Sequence, residues 1–128
     1  MCTKVTKKLD SNKVYYGWKV VKRYDNWVRS YYQKFNWVSG KVLKAELNSY
    51  NSNNVWIYGG FFHCYSTRKE ARSFIKYIRA NHIGPITKEK VKIIKVKLSG
   101  KLYKGETEWG DANIICSTKA YWDGQFHS

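Results

Sequence analysis

One segment of this sequence carries a clear helix signal, and strand-like segments lie on both sides of it. Thr67 and Glu70 form a capping box, in which the two side chains satisfy backbone N–H groups at the start of a helix. The pair Gly84-Pro85 lies beyond the end of the segment, where proline stops a helix from continuing. We therefore predict one main helix over about residues 67–80. Its apolar stripe consists of Ala71, Phe74, Ile75 and Ile78.

The segments around this helix alternate apolar and polar residues with the period of a β-strand. Residues 15–24 and 27–32 are separated by Asp25-Asn26, so we expect a hairpin there. Further strands are predicted at residues 55–58, 91–98 and 112–116. Because strands lie on both sides of one helix, we predict an α+β fold, with a small antiparallel β-sheet and one main α-helix packed on one face.

The length of 128 residues is that of one domain. Residues 1–12 are polar and are predicted to be a flexible basic N-terminal arm, and residues 13–128 a single α+β domain. No apolar run is long enough for a membrane span, and the N-terminus has no secretory h-region. The three cysteines form no C-x-x-C pair, so we expect a reducing, cytoplasmic compartment without disulfides.

The net charge of +15 is the main indication of a partner. Such a charge attracts an anionic ligand, either a nucleotide or nucleic acid, or an acidic host protein. A surface that only keeps the chain soluble is the alternative interpretation. The expected partners therefore include no membrane, and the oligomeric state stays open.

Basic and aromatic residues alternate closely between residues 19 and 37, which suits the binding of bases and phosphates. Aromatic faces stack on bases, and guanidinium groups form paired hydrogen bonds to phosphates. The alternative is that most of these rings fill the core. The predicted ligand-binding residues are Lys19, Arg23, Trp27, Arg29, Tyr31, Trp37, His63, Arg68 and Arg72.

Arg23 and Arg29 flank the predicted turn at Asp25-Asn26. Residues that oppose one another in a hairpin lie on the same face of the sheet. If the register pairs the two arginines, they form a clamp for a phosphate, with Tyr31 beside it for the adjacent base.

No catalytic residue, metal site or cofactor is predicted. His63 and Cys64 are neighbours on a strand and should point to opposite faces, so they do not form a nucleophile and its base. A zinc site needs about four ligands, and the cysteines and histidines are scattered. Gly59-Gly60 is not followed by the Gly-Lys-Ser/Thr of a phosphate-binding loop.

Two stretches carry a resemblance: residues 60–71, beginning Gly-Phe-Phe-His-Cys-Tyr, and residues 91–100, ending Leu-Ser-Gly. With Gly17-Trp-Lys-Val20, they resemble small uncharacterised proteins of phages and bacteria. This resemblance implies a phage accessory or counter-defence role in the host cytoplasm. The strand–helix–strand order also resembles the second half of ADP-ribosyltransferase folds, in which Glu106 or Glu108 could stand for the late glutamate.

The leading hypothesis is therefore a non-enzymatic, phage-type accessory protein that binds an anionic ligand through a basic, aromatic-lined surface. One alternative is a protein–protein inhibitor of a host nucleic-acid or defence enzyme, similar to anti-CRISPR proteins. The other is an enzyme similar to the ADP-ribosyltransferases.

Overall fold

The computed structural model describes residues 3–25, 27–31, 35–45, 56–57, 61–81, 90–107, 110 and 112–127. These residues form nine strands and one helix. In chain order they are β1 (Thr3–Lys8), β2 (Tyr15–Tyr24), β3 (Trp27–Ser30), β4 (Asn36–Trp37), β5 (Val42–Lys44), β6 (Trp56–Ile57), β7 (Phe62–Tyr65), α1 (Arg68–Ala80), β8 (Val91–Thr107) and β9 (Asn113–Trp122).

The predicted α+β class is wrong, because the fold is mostly β. Of the residues that the structure describes, 60% lie in strands and only 14% are helical. Two segments account for much of the difference. Residues 3–8, which the sequence assigns to a flexible arm, form β1 and pair with β8. The strand predicted at residues 91–98 continues to Thr107, through an irregularity after Ser99 where Gly100 takes a φ of +82°.

All strand pairs of the sheet are antiparallel, and the long strand β8 organises them. One edge of β8 pairs with β2 near its start and with β1 near its end, and the other edge pairs with β9. The far edge of β9 pairs with β7 and β5. Strand β7 then meets β2 at Trp18 and Tyr65, so that the four strands β2, β8, β9 and β7 close into a ring.

The predicted helix and hairpin are confirmed. Thr67 is the helix N-cap and its hydroxyl accepts a hydrogen bond from the Glu70 backbone N–H. The Glu70 carboxylate accepts hydrogen bonds from the Ser66 and Thr67 hydroxyls and from the backbone N–H of Asn113. This side chain therefore fixes the helix start against the beginning of β9.

The sheet has a hydrophobic cluster on each face. One cluster includes Val21, Ile94 and Leu98. The other includes Val20, Ile93 and the helix residues Ala71 and Ile78, both of which are fully buried. The helix therefore covers part of one face, across β2 and the start of β8. Among the described residues, no helix is long and apolar enough to cross a membrane.

Candidate anion-binding cleft

A cleft of about 500 Å³ lies between α1, the start of β8 and the C-terminal tail, by which we mean residues 123–127. Its described lining carries four Arg or Lys side chains, one His and four apolar side chains, and no carboxylate. The lining residues are Arg72, Ile75, Lys76, Arg79, Val91, Lys92, Ile93, Phe126 and His127. A volume of this size lies within the range of about 300–1,000 Å³ that is usual for small-molecule sites.

The helix supplies three of the cations because of their spacing. Arg72, Lys76 and Arg79 follow one another at intervals of four and three residues, so they lie along one side of α1. Ala71 and Ile78 are buried against the sheet and fix the rotation of the helix. The basic stripe therefore faces the cleft while the apolar residues hold the helix in place.

The tail closes the opposite side of the cleft. The backbone N–H of His127 donates to the Ile93 carbonyl at 2.7 Å, and the Ile93 N–H donates in return at 3.3 Å. The Phe126 ring packs on Trp122 with ring centroids 5.4 Å apart. The guanidinium of Arg23 also lies over the Phe126 ring, 4.8 Å from its centroid. An aromatic wall and a further cation thus complete the site.

The predicted site residues Arg72, Arg23 and Arg68 all lie at or near this cleft. Arg72 lines the cleft, and Arg23 contacts Phe126, which lines the cleft. The Arg68 guanidinium lies 5.9 Å from the centre of the Trp18 ring, which in turn contacts His127 edge-on at 5.3 Å between centroids.

The predicted arginine clamp does not form. In the hairpin register, Arg23 opposes Val28 and Arg29 opposes Lys22. Because neighbouring residues of a strand point to opposite faces, the two arginines lie on different faces of the sheet. Arg29 instead lies 4.3 Å from the Trp27 ring centroid and donates from Nε to Asn36. Trp27 stacks on Tyr24 at 4.1 Å, so this end of the hairpin is a separate cationic–aromatic stack.

Four other predicted ligand-binding residues are buried, so they do not form a surface. Tyr31 packs edge-on against Phe74. Trp37 is in the core and donates from Nε1 to the Ser30 hydroxyl at 2.7 Å. Lys19 and His63 are also buried, with exposed fractions of 9% and 1%. Tyr31 and Trp37 therefore fit the alternative interpretation, in which most of these rings fill the core.

Lys19 and His63 belong to a buried polar cluster inside the fold. The Lys19 ammonium donates to the His63 backbone carbonyl at 2.7 Å and so links β2 to β7 beside the point where the ring closes. His63 Nδ1 lies 2.7 Å from the Thr3 hydroxyl and 3.3 Å from the Cys116 sulfur. Burial lowers the pKa of Lys19, although the neighbouring Cys64 and Cys116 act in the opposite direction.

The same burial keeps both buried thiols protonated. It raises the pKa of Cys64 to about 11 and that of Cys116 to about 12. The thiolate is the nucleophilic form of cysteine, so these groups are unreactive at neutral pH. His63 and Cys116 are therefore part of the packing. Across the described part of the chain, no group of three or more His, Cys, Asp or Glu side chains could hold a metal ion.

Sequence reasoning missed five polar or aromatic lining residues: Lys76, Arg79, Lys92, Phe126 and His127. The helical spacing of Arg72, Lys76 and Arg79 was visible in the sequence and could have indicated a basic helix face. Nothing local predicts the tail contacts, because His127 and Ile93 are far apart in the chain.

Comparisons of the chain with protein-family models, with curated proteins and with solved structures found no match.

Proposed function

We propose that this protein binds a phosphate-bearing ligand, a nucleotide or nucleic acid, in the basic cleft. The observation that carries the proposal is the cleft lining, in which cations surround an aromatic wall and no described lining residue is acidic. Guanidinium groups form paired hydrogen bonds to phosphate oxygens, and lysines add point charge. Phe126 and His127 also line the cleft, and aromatic rings of this kind stack on bases.

The proposal assigns binding and no catalytic step. It includes the phage-type accessory role and the cytoplasmic location that the resemblance of residues 60–71 and 91–100 implies. A net charge of +15 supports it, because such a charge raises the local concentration of anions around the cleft.

The test is calorimetric titration with ADP of the wild-type protein and of the double variant Lys76→Glu/Lys92→Glu. Both lysines line the cleft. We expect the variant to lose at least about tenfold in affinity, because charged hydrogen bonds to the phosphates are replaced by repulsion.

The matched control is Lys41→Glu/Lys44→Glu, which makes the same charge change at two exposed lysines at and next to β5. This control should keep the wild-type affinity for ADP. Equal weakening in both double variants would mean that only diffuse charge matters. Failure of the wild-type protein to bind ADP would contradict the proposed function.

A further inference from the structure

Next to the cleft, one face of the sheet carries lysines and aromatic residues in alternation. Tyr16 of β2 is directly opposite Lys97 of β8, and Lys97 is directly opposite Tyr121 of β9. Trp18 is likewise opposite Lys95. Directly paired residues of antiparallel strands point to the same side of the sheet. These five residues form what we call the lysine–aromatic row.

Four of the five side chains of the row are exposed, and Trp18 is partly buried. Tyr16 is 49% exposed and Tyr121 is 36% exposed, and both lysines are exposed. The Lys95 ammonium lies 4.6 Å from the Tyr16 ring centroid and 5.5 Å from that of Trp18. Cations therefore lie between successive rings.

The row is continuous with the cleft. Trp18 contacts His127 edge-on, with ring centroids 5.3 Å apart, and His127 lines the cleft. Backbone hydrogen bonds between His127 and Ile93 hold this junction in place. A ligand that occupies the cleft can therefore extend over Trp18 and onto the open face of the sheet.

We propose that the row and the cleft together form one binding track for single-stranded nucleic acid. This inference rests on the proposed function, because the cleft holds one nucleotide of the strand. Exposed rings on a sheet surface stack on successive unpaired bases, and lysines between the rings bind the phosphates that join them.

A single strand fits these observations better than a duplex. In a duplex the base faces are stacked on one another inside the helix, so rings on a sheet surface cannot stack on them. Sequence readout of a duplex also places a helix or a two-stranded ribbon in the major groove. In this protein, α1 lies with Ala71 and Ile78 buried against the sheet. Three of its basic residues, Arg72, Lys76 and Arg79, line the cleft.

The test measures fluorescence anisotropy with labelled oligothymidine and oligouridine of about 12 nucleotides, a length within known site sizes for single strands. A DNA duplex of equal length and ADP serve as the other probes. The row variant is Tyr16→Ala/Tyr121→Ala. The control variant is Trp27→Ala/Tyr77→Ala, which removes two aromatic side chains of similar exposure from β3 and α1.

We expect the row variant to lose at least about tenfold in affinity for the single strands, because two stacking surfaces are removed. Its affinity for ADP and its melting temperature should stay at the wild-type values, and the control variant should bind all probes normally.

Three outcomes would overturn the track: unchanged single-strand affinity in the row variant, an equal loss in the control variant, or a duplex that binds as tightly as the single strands. Each leaves the proposed function standing if ADP still binds and the charge reversals in the cleft weaken it. Absence of ADP binding to the wild-type protein would instead contradict the proposed function itself.

Discussion

At the scale of single residues, Lys19 occupies a buried position that is unusual for a lysine. A lysine seldom lies inside a sheet, because removing an ammonium from water costs free energy. Its one described hydrogen bond goes to the His63 carbonyl. Lys19 was predicted as a ligand-binding residue from the surrounding pattern of cations and rings. That pattern does not distinguish it from Lys22, which lies on the opposite face of the same strand.

The lowered pKa of Lys19 predicts a pH dependence of stability. In the folded protein this pKa lies below the ordinary value of 10.5, so between the two values the unfolded chain binds the additional proton. The free energy of unfolding should therefore rise as the pH increases through that window. Urea denaturation at a series of pH values up to 10.5, with the Lys19→Met variant as the reference, should reveal this rise.

The Lys19→Met variant should lack the rise, whereas Lys41→Met, at an exposed site, should keep it. The upper limit of the pH range matters, because the raised pKa values of Cys64 and Cys116 act in the opposite direction. Unfolded thiols ionise near 9.0 while the buried ones stay protonated, so they lower stability above that pH. Identical profiles for wild type and Lys19→Met up to pH 10.5 would contradict the lowered pKa of Lys19.

At the scale of the elements, α1 packs on the sheet mainly through Ala71 and Ile78, both fully buried, whereas Phe74 is only partly buried. Ile78→Ala should lower the free energy of unfolding by about 2–5 kcal/mol, since a large buried side chain leaves a cavity. Phe74→Ala should cost less, because part of its ring already contacts water. Urea denaturation of both variants measures the difference, and a larger loss at Phe74 would contradict this packing.

The elements that sequence could predict are those with local signals. The helix has its capping box at Thr67 and Glu70, and the β2–β3 hairpin has a turn between two alternating segments. Strand β1 has no such signal, because its lysines are exposed and its pairing partner in β8 is distant in the chain. The mostly-β class follows from such pairings, and for that reason the α+β prediction was wrong.

The same distinction between local and distant contacts applies to the candidate site. Arg72 was predicted and lines the cleft, while Lys92 and His127 join it only through the fold. His63 was predicted as a site residue and is buried, because its strand lies between β9 and β2. Composition therefore predicted an anionic partner, and only the three-dimensional arrangement brings together the residues of the proposed cleft.

At the scale of the whole molecule, positive charge also occurs outside the cleft, and the β2–β3 hairpin carries a second cationic–aromatic stack. Arg29 on Trp27 is the centre of that stack. The central claim is that the ligand binds in the cleft between α1, the start of β8 and the tail, and not at this hairpin or over the surface in general.

Photolabelling with 8-azido-ADP, followed by peptide mapping, tests this claim most directly. The predicted result is labelling of peptides from residues 72–79 or 121–127, with unlabelled ADP preventing the reaction. The variant Lys76→Glu/Lys92→Glu should lose this labelling, whereas Lys41→Glu/Lys44→Glu should retain it. Labelling centred on residues 27–31, or spread evenly over the lysine-containing peptides, would contradict the account.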